Sequence, residues 1–143
     1  MENKDTRWQQ RFKNFEKAFI RLKESLEIEK PSELERNGIA QRFKFIIDLA
    51  WKVMKDFLEE KGFNFKPSPK DTLRQAASGG FIDYAQQLID GYDIRNDLSH
   101  DYDGEKFEKS ESSLREQVYP ALDKLRQFFI GQLKSNDANP RHD

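Results

Sequence analysis

From Trp8 the large apolar residues recur as Trp8, Phe12, Phe15, Phe19, Leu22 and Leu26, with Lys, Arg, Glu and Gln filling the gaps. Alternating steps of four and three place them along one seam of a helix. Pro31 ends that helix, and Ser32 with Glu35 three residues later has the form of a capping box that opens the next. The second helix carries Phe43, Phe45, Ile46, Ile47, Leu49, Ala50, Trp51, Val53, Met54, Phe57 and Leu58, which cover more than half of its circumference and predict the central helix of a bundle ending at Gly62.

A connector over 63–67 leads to Ser68-Pro69-Lys70-Asp71, an N-cap followed by proline at the first helical position, and Gly79-Gly80 stops the short helix so begun. The spacing of Phe81, Ile82, Tyr84, Ala85, Leu88, Ile89, Tyr92 and Leu98 predicts a helix over 81–98, with Gly91 a tolerated weak point. The last helical stretch runs over about 105–133, and Pro120 within it predicts a kink or break near Tyr119. No segment alternates with period two. The expected fold is all-α, an up-and-down bundle of four to five helices in one domain over 1–134, with a flexible tail over 135–143.

Composition narrows the function classes. Lys plus Arg number 25 against 26 Asp plus Glu, a net charge of -1 that excludes a strongly basic nucleic-acid binder. With no cysteine there is no disulfide, thiolate metal site or cysteine nucleophile. No window approaches the roughly 18 apolar residues of a membrane span. A cytoplasmic protein with no membrane or DNA partner is expected.

Of the two histidines, His142 lies in the tail and His100 lies in the densest polar run of the chain, from Tyr92 to Asp103. Arg95 supplies a planar fork of donors for a phosphate, and the imidazole of His100 moves a proton near neutral pH. Together they are a minimal set for metal-free cleavage of RNA, whose 2′-hydroxyl is the internal nucleophile that DNA lacks. No metal and no cofactor are called for. On one unbroken helix Arg95 and His100 would stand about 140° apart, so either the helix ends before His100 or that histidine faces a partner subunit. Asp93, Asp97, Asp101 and Asp103 against one arginine give this run a local charge of -3, which Arg74 or Lys106 would have to offset. A plain structural role for Arg95 and His100, in helix capping or an ion pair, is the alternative. Asp48, the one carboxylate amid the apolar central helix, either orients Arg95 or points outward.

Arg95-Asn96, three further residues, His100, one residue and Tyr102 resemble the Arg-X4-His-X-Tyr motif of the HEPN superfamily. The run from Phe43 to Lys55 is similar to the central-helix signature of its nucleotidyltransferase substrate-binding branch, and Asp71 to Ala76 followed by Gly80 is similar to that branch's third helix. The resemblance spans about 12–133. It implies a helical homodimer encoded beside a minimal nucleotidyltransferase. In one account of such families the protein is a toxin ribonuclease. Arg95 and His100 would then line an RNA-cleaving cleft at the dimer interface with Asn96 in support, and the partner would silence it by transferring AMP to Tyr102. In the other account the bundle is a non-catalytic substrate-binding subunit.

Overall fold

The structure, a computed structural model, describes residues 5–101 and 104–138; Tyr102, Asp103 and His142 lie outside them. It has the all-α architecture expected. The order is α1 (Arg7–Leu26), α2 (Glu33–Glu60), α3 (Pro69–Ser78), α4 (Ala85–Leu98), α5 (Glu105–Ser113), a π turn (Leu114–Val118) and α6 (Tyr119–Ala138), with no strand among the described residues. Because α5 runs through the π turn into α6, the described residues form five rods.

Local chemistry accounts for where the rods begin. The Ser32 hydroxyl accepts the Glu35 N–H at 3.1 Å while the Glu35 carboxylate accepts the Ser32 N–H at 2.8 Å, so two otherwise orphaned amides are satisfied reciprocally at the start of α2. Pro69 occupies the first turn of α3, where its missing N–H costs nothing. At the start of α6, the Tyr119 N–H reaches back five residues to the Leu114 carbonyl. This wider turn, directly ahead of Pro120, is the form taken by the irregularity expected there. Helix α6 then continues to Ala138, past Ser135, where the sequence pattern places the start of the tail.

Helix α2 packs against α1, α3 and α4. The α1 seam of Trp8, Phe12, Phe15, Phe19 and Leu22 is buried against it and α6. Phe57 is the aromatic hub, with the rings of Trp8, Phe81, Phe128 and Phe129 at centroid distances of 5.5, 5.3, 5.4 and 5.6 Å. At one end of the α1–α2 pair, Arg11 Nε donates to the wholly buried Asp56 Oδ2 at 2.7 Å, and Lys55 Nζ lies 3.1 Å from Asp56 Oδ1. At the other end Arg42 donates to the Arg21 carbonyl at 2.7 Å.

Three expectations are corrected. Residues Phe81 to Tyr84 are not helical, since α4 starts at Ala85; Ile82 and Tyr84 are nonetheless buried, and Phe81 reaches Phe57 and Phe63 from an irregular segment. Apolar burial there does not require a helix. Phe45 is not core: it is 57% exposed. Gly91 is a requirement of packing, because a Cβ added there would stand 2.7 Å from Val118 Cγ1 and 3.0 Å from Ile47 Cδ1.

Candidate functional site

The polar run falls where α4 ends. Helix α4 stops at Leu98 with Ser99 as its C-cap, and the Ser99 N–H and hydroxyl both reach the Arg95 carbonyl at 3.2 Å. The His100 N–H then bonds the Asp97 carbonyl at 3.1 Å, and the Asp101 N–H bonds that of Leu98 at 3.2 Å. The helix therefore ends before His100, the first of the two options left by the 140° separation. His100 stands exposed in the turn, and its imidazole has no partner among the described residues.

Arg95, one turn earlier, is held on several sides. Its Nη2 meets Asp48 Oδ2 at 3.0 Å, its Nη1 donates to Asn96 Oδ1 at 3.2 Å, and its guanidinium carbon lies 6.0 Å from the Tyr92 ring centre. Nε is buried and has no hydrogen-bond partner among the described residues. Of the two readings of Asp48, orientation of Arg95 is the one the structure adopts. Both side chains are about one-third exposed, at 29% and 33%, so the guanidinium is fixed yet open to a ligand. A cation in the last turn of α4 also suits the negative end of the helix dipole.

Two of the four aspartates of the run, Asp93 and Asp101, find partners within the protein. Asp93 pairs with Lys70 Nζ of α3 at 2.7 Å. Asp101 turns away from the run to the start of α5, where its two oxygens accept the Lys106 and Phe107 amides at 3.0 and 2.9 Å. That carboxylate does the work of an N-cap while Gly104, at φ 81, makes the turn into the helix. Arg74, one cation expected to offset the charge, pairs instead with Asp71 at 3.4 Å. The other, Lys106, contributes its backbone amide, and Lys70 supplies the countercharge. The structure thus joins Arg95, Asn96 and Asp48 and sets His100 on the adjoining turn; Tyr102 lies outside the described residues. No group of three or more carboxylate and imidazole side chains converges as a metal site among the described residues.

A family model described as nucleotidyltransferase substrate binding protein like matches residues 10–129, which include all of these positions. The chain belongs to that family, a branch of the HEPN superfamily. Among family relatives, the protein named "Probable ribonuclease HepT" from Haemophilus influenzae is 36% identical over 73 residues. That match covers 48% of this chain and spans only half the length of the relative. A crystal structure of a Thermus thermophilus protein superposes with a TM-score of 0.65 at 29% identity, covering 83% of this chain and 98% of that one. No helix among the described residues is long and apolar enough to cross a membrane.

Proposed function

We propose that this family member is a metal-independent ribonuclease acting as a homodimer, the toxin half of a two-gene system with a minimal nucleotidyltransferase. The observation that carries the reading is the Arg95 guanidinium, locked by Asp48 at 3.0 Å yet partly open, beside a turn that presents His100 to solvent. The similarity to a protein named as a probable ribonuclease supports it.

In this reading Arg95 binds the non-bridging oxygens of the scissile phosphate, and Asn96 steadies the guanidinium. The RNA 2′-oxygen attacks phosphorus and the P–O5′ bond breaks, leaving a 2′,3′-cyclic phosphate and a free 5′-hydroxyl. Neutral His100 accepts the 2′-hydroxyl proton, and a protonated imidazole returns one to the departing 5′-oxygen. A twofold axis near the end of α4 brings two copies of the turn together, so that one His100 serves as base and the other as acid. AMP transfer from the partner to the Tyr102 phenol, two positions on, places a negative charge and a nucleotide's bulk where the RNA phosphate would sit, which blocks binding by repulsion and volume.

The test is cleavage of single-stranded RNA by purified protein in EDTA. Cleavage is expected, with loss of at least 100-fold in His100→Ala and Arg95→Ala at unchanged melting temperature; intact RNA at high protein concentration overturns the reading. One observation favours the second account, a non-catalytic substrate-binding subunit: among the described residues the His100 imidazole has no orienting partner of the kind a catalytic base usually has. That account predicts no cleavage but a gain in nucleotidyltransferase activity when this chain is added.

A further inference from the structure

Phe45 stands out on α2. It follows buried Phe43 by two positions and precedes buried Ile46 and Ile47, yet it is 57% exposed. With Gln41 one turn before, Asp48 three residues after and Lys52 one turn beyond that, it lies on the outer strip of α2, on the same side as the carboxylate that holds Arg95. Its ring forms one wall of a hollow of about 290 Å³ completed by Ala18 and Arg21 of α1 and Gln41 and Arg42 of α2.

The lining is cationic although the chain as a whole is not. One Arg42 nitrogen is tied to the Arg21 carbonyl at 2.7 Å, which anchors that guanidinium across the α1–α2 boundary. The Arg21 guanidinium has no partner among the described residues. Lys17 stands one turn before Arg21, and Lys52 borders the strip on α2. The nearby acids are Asp48, already paired with Arg95, and Glu24, one turn beyond Arg21.

We propose that this hollow is a nucleotide subsite for single-stranded RNA, in which an unpaired base stacks on Phe45 while Arg21 and Arg42 take an adjacent phosphate. The strand would then continue past Asp48 towards Arg95. The proposal rests on the RNA-cleaving reading and gives it a substrate class, an unpaired strand, because a paired base offers no free face to an aromatic ring. Charge selects this occupant over a second copy of the chain: a twofold contact centred here would bring the same unpaired guanidiniums face to face and strip them of water.

The experiment is fluorescence anisotropy with a labelled ten-nucleotide single-stranded RNA, alongside cleavage kinetics and sedimentation. Phe45→Leu, which keeps bulk but loses the π face, is expected to weaken binding at least fivefold, and Phe45→Trp to restore it to within twofold. Arg21→Gln with Arg42→Gln should flatten the dependence of log affinity on log salt by about 0.7, the slope of the one phosphate that the two guanidiniums share. Binding by Phe45→Leu equal to the native protein overturns the subsite, as does a native protein that does not bind the strand. A Phe45→Leu chain that sediments at half the native mass also overturns it, since the ring would then belong to a contact between copies. Binding that follows this pattern without cleavage in EDTA leaves the subsite standing and removes the ribonuclease reading; cleavage with a KM unchanged in Phe45→Leu does the reverse.

Discussion

Asp48 and Arg95 stand 47 positions apart and meet at 3.0 Å, linking the middle of α2 to the last turn of α4. An ion pair this exposed contributes little to stability, about 1 kcal/mol or less. Its effect falls on where the guanidinium points. Asp48→Asn is therefore expected to lower RNA cleavage about tenfold or more while changing unfolding free energy by less than about 1 kcal/mol. Parallel kinetics and denaturant titration check the split; an equal loss in both would mark the pair as purely structural.

Gly91 allows α4 to touch the π turn. A methyl group there meets Val118 at 2.7 Å and Ile47 at 3.0 Å. Overpacking of this kind costs about 1–3 kcal/mol, against a gain of about 1 kcal/mol from replacing glycine in a helix. Gly91→Ala should be net destabilising, seen as a lower urea midpoint with an unchanged slope.

Burial, with help from Asp83, pushes the Tyr84 hydroxyl above its ordinary pKa of 10.0. Because the folded state holds this proton more tightly than the unfolded one, the contribution is complete below about pH 10 and is lost as pH climbs beyond it. That hydroxyl is also buried without a hydrogen-bond partner among the described residues. Tyr84→Phe should gain about 1 kcal/mol at neutral pH by removing an unsatisfied group, and should soften the alkaline loss of stability. Tyr119, raised chiefly by its own burial, leaves a residual slope. Thermal melts from pH 7 to 11 test both parts.

Asp56 has no exposed side-chain surface and depends on Arg11 and Lys55. Arg11→Met leaves it with a single countercharge and should cost about 2 kcal/mol, below the full range for a broken buried pair because Lys55 remains. Arg11→Met with Asp56→Leu, which removes both charges, should recover most of that loss in the same denaturant assay.

Much of this was legible in the chain because the signals were local. Pro31, the Ser32–Glu35 pair and Pro69 act within a single turn, and the helices begin where those residues place them. Phe81 to Tyr84 misled because apolar periodicity reports burial, and an irregular segment can bury the same side chains. Phe45 misled for the opposite reason: its neighbours are buried, but its direction on α2 lies within about 60° of that of Asp48, and the three-residue step to that carboxylate was the available sign. At the site, the end of α4 before His100 was one of two options that helix geometry allowed. The pairing of Lys70 with Asp93 and the turn of Asp101 onto the α5 amides were not foreseeable, since each depends on how separate helices are placed.

Asp101 has a mechanical consequence. The segment bearing His100 is fastened at both ends, by main-chain bonds to the close of α4 and by the Asp101 carboxylate to the opening of α5. The imidazole thus rides on a short bridge whose two abutments are separate rods. Any ligand that draws it inward must either pull α4 and α5 along together or break the Asp101 clasp first, so sequence changes at the head of α5 would retune a group they never touch.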